Sequence, residues 1–184
     1  MLNKHGCPRL TCVSSVYLRV PVESTPIRRY DVRLMLSKEL PAYIDPEKLC
    51  RNAPKQGTDM AGIIYIRKLN NLNPELKAQG ATPIVVTMNF SIDEEGYCRI
   101  KGELNVELKM NCQRCLELMT EKVNGTFLVS PVVSDVQAGQ LPDRYEPLIM
   151  RNGEVDLAEW IAEELHLALP FVPRHDDDCV GRGT

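Results

Sequence analysis

Cys112-Gln113-Arg114-Cys115 places two thiols within four residues, and His175-x3-Cys179 offers a second such pair near the C-terminus. Thiolate and imidazole groups at these spacings are the donors a zinc ion takes, provided that all four reach one tetrahedron. The alternative is a β-turn with two small, semi-buried thiols, His175 and Cys179 lying on a free tail. A redox dithiol belongs at a helix N-terminus inside a βαβ unit, where the dipole lowers a thiol pKa. Here the pair lies between two apparent strands and runs into Leu116-Glu117-Leu118-Met119. That context is missing.

Other reactive groups are sparse. Glu164 falls beside an apolar helical stripe, where a carboxylate needs a partner or a raised pKa. We read it as lying at the stripe's edge and reaching water, with His166 on the far, solvated side. Asp176-Asp177-Asp178 reads as a solvated acidic tail rather than a cation site. No paired carboxylates, Ser/His/Asp constellation, Walker loop or dinucleotide glycine pattern occurs. The chain is therefore expected not to be an enzyme. The competing expectation is a metal-dependent RNA-processing enzyme at the Cys112/Cys115 turn, with Glu163 or Glu164 as its base.

Length and charge narrow the class. A chain of 184 residues with 43% hydrophobic content can bury a core without covalent staples. Its seven cysteines are odd in number, and Cys7, Cys12, Cys50 and Cys98 are scattered, which favours reduced thiols in a cytosol over a disulfide framework. No apolar run reaches the roughly 18 residues of a membrane span, and no secretory leader is evident, so the expected location is cytoplasmic. Residues 1–34 carry six Lys/Arg against two acids, and residues 135–184 carry four against eleven. An acidic second half is a poor footprint for nonspecific nucleic-acid binding. An RNA contact would fall to the middle, through Arg67, Lys68, Arg99, Lys101, Lys109 and Arg114, to the basic N-terminal arm, or to a protein partner.

The elements that must position these groups follow from periodicity. Asp45-Pro46-Glu47 caps a short helix ending by Asn52 or Ala53. Gly62–Ile66 is a strand, and Glu75–Gln79 makes one helical turn. Ile84–Ile92, a turn at Asp93–Gly96, and Tyr97–Met110 form a hairpin, with Ile100, Leu104, Val106, Leu108 and Met110 on one face. Gly102 interrupts that face and marks a bulge or a close approach. Met119–Val129 is a third antiparallel strand, Ser134–Pro147 a polar loop, and Leu148–Met150 a short strand before an Asn152-Gly153 turn. Asp156 caps a last helix, with Glu159 as capping-box partner and Leu157, Trp160, Ile161, Leu165 and Ala168 as its buried stripe. Pro170 ends it. The predicted class is α+β: an antiparallel β-sheet or partial barrel with a few short helices and one C-terminal amphipathic helix. Residues 1–34 read as a poorly ordered extension with a short strand at Val16–Val20, residues 35–179 as one domain, and residues 180–184 as a flexible tail. Met35 is a second candidate start.

Three runs in this order resemble the YceD family of bacterial proteins: Leu108–Glu117 around the cysteine pair, Leu141-Pro-Asp-Arg-Tyr-Glu-Pro147, and Asp156-Leu157 with Glu163 through His175. The likeness spans roughly Met35 to Cys179. It implies a role in accumulation of 23S ribosomal RNA, through synthesis, processing or stability, without a defined catalytic activity. Family members commonly lie beside a gene for a large-subunit ribosomal protein. The implied partners are 23S rRNA, pre-ribosomal particles or a basic large-subunit ribosomal protein, with no membrane and no small-molecule substrate. Many members have a richer C-terminal cysteine cluster, and the resemblance implies zinc; the spacing offers Cys112, Cys115, His175 and Cys179 as its candidate ligands here. This chain has only Cys179 in that region.

Overall fold

Alternation along the middle of the chain decides the architecture. In a computed structural model, which describes residues 38–175 and Cys179, Ile100, Leu104, Val106 and Leu108 are buried while Lys101, Glu107 and Lys109 face outward. These residues lie on β4 (Cys98–Asn111), paired antiparallel with β3 (Pro83–Ile92) and with β5 (Leu118–Val132). β2 (Thr58–Tyr65) borders β3, and β6 (Glu146–Ile149) lies parallel to the end of β5. The result is an open five-stranded sheet, β2-β3-β4-β5-β6, which does not close into a barrel. Two-residue strands β1 (Tyr43–Ile44) and β7 (Val155–Asp156) pair with each other, an arrangement that carries no periodic signal.

The helices cover one face of this sheet. α1 (Pro46–Arg51) is capped by Asp45, whose Oδ1 accepts the Lys48 N–H at 2.8 Å. α2 (Pro74–Lys77) is capped in the same way by Asn73, and its Leu76 is buried. The polar loop after β5 contains a single turn, α3 (Asp135–Ala138). α4 (Leu157–Ala168) buries Leu157, Trp160, Ile161 and Leu165, as its stripe predicts. Asp156 Oδ1 accepts the N–H groups of Ala158 and Glu159, but the Glu159 carboxylate turns outward to Arg151 at 3.1 Å instead of completing a capping box. The Trp160 ring meets Phe127 of β5 edge-on, centroids 5.0 Å apart.

Two expectations are corrected. Glu164 does not reach water: it is buried, and its Oε1 accepts the Trp160 indole N–H at 2.9 Å. Burial pushes its pKa up, against the indole hydrogen bond, and Glu146 and Glu163 push it further. Cys50 and Cys98 are not free thiols but a disulfide. The sheet brings α1 over the β3–β4 hairpin, so residues separated by 48 positions meet. Spacing alone cannot reveal such a pairing. The expected extension over residues 1–34 with its strand at Val16–Val20, the run Asp176–Asp178 and the tail 180–184 lie outside the described residues. Among the described residues no helix is long and apolar enough to cross a membrane.

The run Leu141–Pro147 has a structural job. Asp93, at the β3–β4 turn, accepts hydrogen bonds from the Tyr145 hydroxyl at 2.6 Å, Arg144 Nη2 at 3.0 Å, and the N–H groups of Glu95 and Tyr97. Burial alone would raise its pKa, but these donors together hold it at about 2. The folded value lies below the unfolded one, so the stabilisation is complete above about pH 4 and is lost as pH falls towards 2. Asp93→Asn is expected to cost about 2 kcal/mol at neutral pH. Urea melts at pH 7 and pH 3 should show that gap narrowing at the lower pH.

Candidate metal centre

The β4–β5 hairpin is long because its last pairs run past the end of β3. β3 pairing stops at Val85↔Asn105, whereas β4–β5 pairing continues to Asn111↔Leu118. Gln79 replaces the missing strand neighbour: its Oε1 accepts the Lys109 N–H and its Nε2 donates to the Lys109 carbonyl, both at 2.8 Å. This support carries Cys112-Gln113-Arg114-Cys115 at the hairpin tip. There the Cys112 N–H donates to Glu117 O, and the Leu116 N–H donates to Cys112 O, both at 2.9 Å. Leu116 sits at φ 63°, a left-handed conformation that a bulky side chain adopts only when its surroundings impose it.

The segment after α4 returns to this tip. The Gln113 N–H donates to Pro173 O at 2.9 Å, which draws the chain beside the turn. Cys112 Sγ then lies 3.8 Å from Cys179 Sγ, and Cys115 Sγ lies 3.5 Å from His175 Nδ1. All four donor atoms fall within 4.8 Å of one another. A zinc tetrahedron with Zn–S of about 2.3 Å and Zn–N of about 2.0 Å has S···S edges of roughly 3.8 Å and S···N edges of roughly 3.5 Å. The Cys112–Cys179 and Cys115–His175 separations match those edges, the remaining ones stay within 4.8 Å, and the three thiols and one imidazole match the donor set.

The electrostatics point the same way. Cys112 is fully buried, yet its pKa is lowered to about 5, first by the backbone N–H of Cys115. Burial opposes that pull, and the N–H groups of Arg114 and His175 reinforce it; Arg114 N lies 3.4 Å from the sulfur. Burial first, and then its contacts with Cys115 and Cys112, raise Cys179 to about 11. The site thus favours one thiolate and resists a second unless a cation joins it.

The six basic residues expected to contact RNA are not gathered in one place. Arg99, Lys101 and Lys109 share the outward face of β4, but Lys101 and Lys109 stand eight positions apart, about 26 Å along a strand. Glu103 and Glu107 lie between them on that face, and Arg99 Nε donates to Ser91 Oγ at 3.1 Å. Arg67 stacks over the Tyr65 ring at 4.2 Å, and Lys68 pairs with Glu39 at 2.7 Å, after β2. Arg114 is exposed at the tip of the Cys112–Cys115 turn. The Asp93 knot was missed by sequence reasoning, although the Leu141–Pro147 run that builds it stood out.

Comparison with known proteins places these elements in a family match. Residues 100–184 match the family model described as Large ribosomal RNA subunit accumulation protein YceD. That stretch contains the long hairpin from β4 onward, the Leu141–Pro147 run, α4 and all four donors. A Haemophilus influenzae protein named Large ribosomal RNA subunit accumulation protein YceD is 32% identical over 145 residues, covering 78% of this chain and 80% of the relative. No solved structure matches. On the strength of that shared length and of the three runs that build its hairpin tip, the Asp93 contacts and its last helix, the chain belongs to the YceD family.

Proposed function

We propose that this protein is a non-catalytic factor in the accumulation of large-subunit (23S) ribosomal RNA, acting by binding rRNA or a ribosomal protein in pre-ribosomal particles. The observation that carries the role is the likeness to a relative of that name along four-fifths of the relative's length. The metal centre supports the non-catalytic part. Cys112, Cys115, His175 and Cys179 would together fill the tetrahedral shell of a zinc ion, whereas catalytic zinc keeps one position for water. Bound there, zinc would supply cross-linking rather than reaction chemistry. No carboxylate belongs to the donor group, and Glu164, one of the two candidate bases, has its carboxylate on Trp160.

Depleting the protein in its host should lower the ratio of large- to small-subunit rRNA, and restoring it should recover that ratio. An unchanged ratio would sink the role. Binding of 23S fragments to the purified protein across a salt series separates direct from protein-mediated action. Lys101→Glu and Lys109→Glu should each weaken direct binding and flatten its salt dependence by about one charge.

A further inference from the structure

A groove of about 490 Å³ lies between α4, the edge strand β6 and the β1–β7 pair. Its lining is mixed, with apolar groups at its base: Tyr43 and Ile149 are 58% and 52% exposed, and the buried Trp160 lies beside them. Its rim is acidic. Glu154, Asp156, Glu159 and Glu163 line it against a single cation, Arg151, which is already 3.1 Å from Glu159. Beneath the groove, Glu163 of the rim adds to the burial that raises the pKa of Glu164.

We propose that this groove is the docking site for a Lys/Arg-rich polypeptide segment of a partner protein carrying an apolar or aromatic anchor. Lysine and arginine stems lie well on apolar surface while their heads reach outlying carboxylates, and a guanidinium or ammonium gains further over an exposed aromatic face such as Tyr43. An acidic rim repels a phosphate backbone, so RNA is the wrong occupant for this face. The rim charges also steer a basic partner into encounter. The inference deepens the proposed role by naming the class of partner, and takes from that role only its cellular setting.

Trp160 is the chain's sole tryptophan and lines the groove, so its fluorescence reports occupancy directly. The full chain is titrated with a short Lys/Arg-rich peptide containing one leucine, with a Glu-rich peptide of equal length, and with a single-stranded oligo-U RNA. The basic peptide should give a saturable change that weakens with salt. Glu154→Lys with Glu163→Lys, both exposed positions, should weaken it about tenfold or more, whereas Glu107→Lys on the sheet should not. The proposal is overturned by three results: no response to the basic peptide, equal losses in the groove and sheet variants, or an RNA response that the groove variants remove. The titration contains no ribosomal component. It can therefore fail while the depletion test succeeds, and the reverse.

Discussion

Cys112→Ser is expected to strip stoichiometric zinc from the purified protein and release the C-terminal segment from the hairpin tip, leaving the sheet folded. The sulfur of Cys112 is fully buried and receives backbone N–H groups that lower its pKa to about 5, so it is the donor readiest to bind as an anion. A serine hydroxyl in its place is neither soft nor ionised at neutral pH, and zinc affinity should fall by more than about a hundredfold. The β-sheet core does not depend on this knot: Phe90, Ile100, Leu104 and Leu165 are buried without contribution from the donors. Circular dichroism should therefore stay close to that of the parent. Trypsin should cut faster after Arg114 and Arg174, which flank the donors in the sequence. Elemental analysis of the parent gives the decisive comparison. A parent without metal, or a variant that retains a full equivalent, would overturn the zinc assignment.

Legibility in the sequence followed the range of the interaction. β3, β4 and β5 could be read because a half-buried strand alternates, and each alternation is local. α4 could be read because its cap and stripe lie within thirteen residues of one another, from Asp156 to Ala168. The parallel β5–β6 pairing, the β1–β7 pair and the Cys50–Cys98 bridge join distant positions, and no short window records them. The four donors form an intermediate case. Each half carries a local spacing, but their union depends on the Gln113–Pro173 hydrogen bond, which composition does not announce. Glu164 went the other way: its proximity to the stripe was visible, but its indole partner lies four residues back on the same helix and keeps it inside.

Gly102→Ala should destabilise the domain by about 3 kcal/mol, although alanine normally improves a strand by restricting the unfolded chain. Gly102 pairs with Phe127 across β4–β5. A Cβ there would lie 2.5 Å from the Phe127 ring and 2.5 Å from the backbone oxygen of Thr87. The ring packs against Trp160 and cannot swing aside without opening the contact that seats α4. The carbonyl belongs to β3, paired on both sides, so it cannot yield without disturbing the ladder. Overpacking of this kind costs about 1–3 kcal/mol, and more where backbone must shift, which for a domain of this size lowers the melting midpoint by roughly 10 °C. The double variant Gly102→Ala with Phe127→Leu apportions the cost. Relief by leucine should be partial, since the Thr87 oxygen remains. Complete relief would show that the ring alone excludes a side chain, and a midpoint unchanged in the single variant would show that β4 is free to move away from both neighbours.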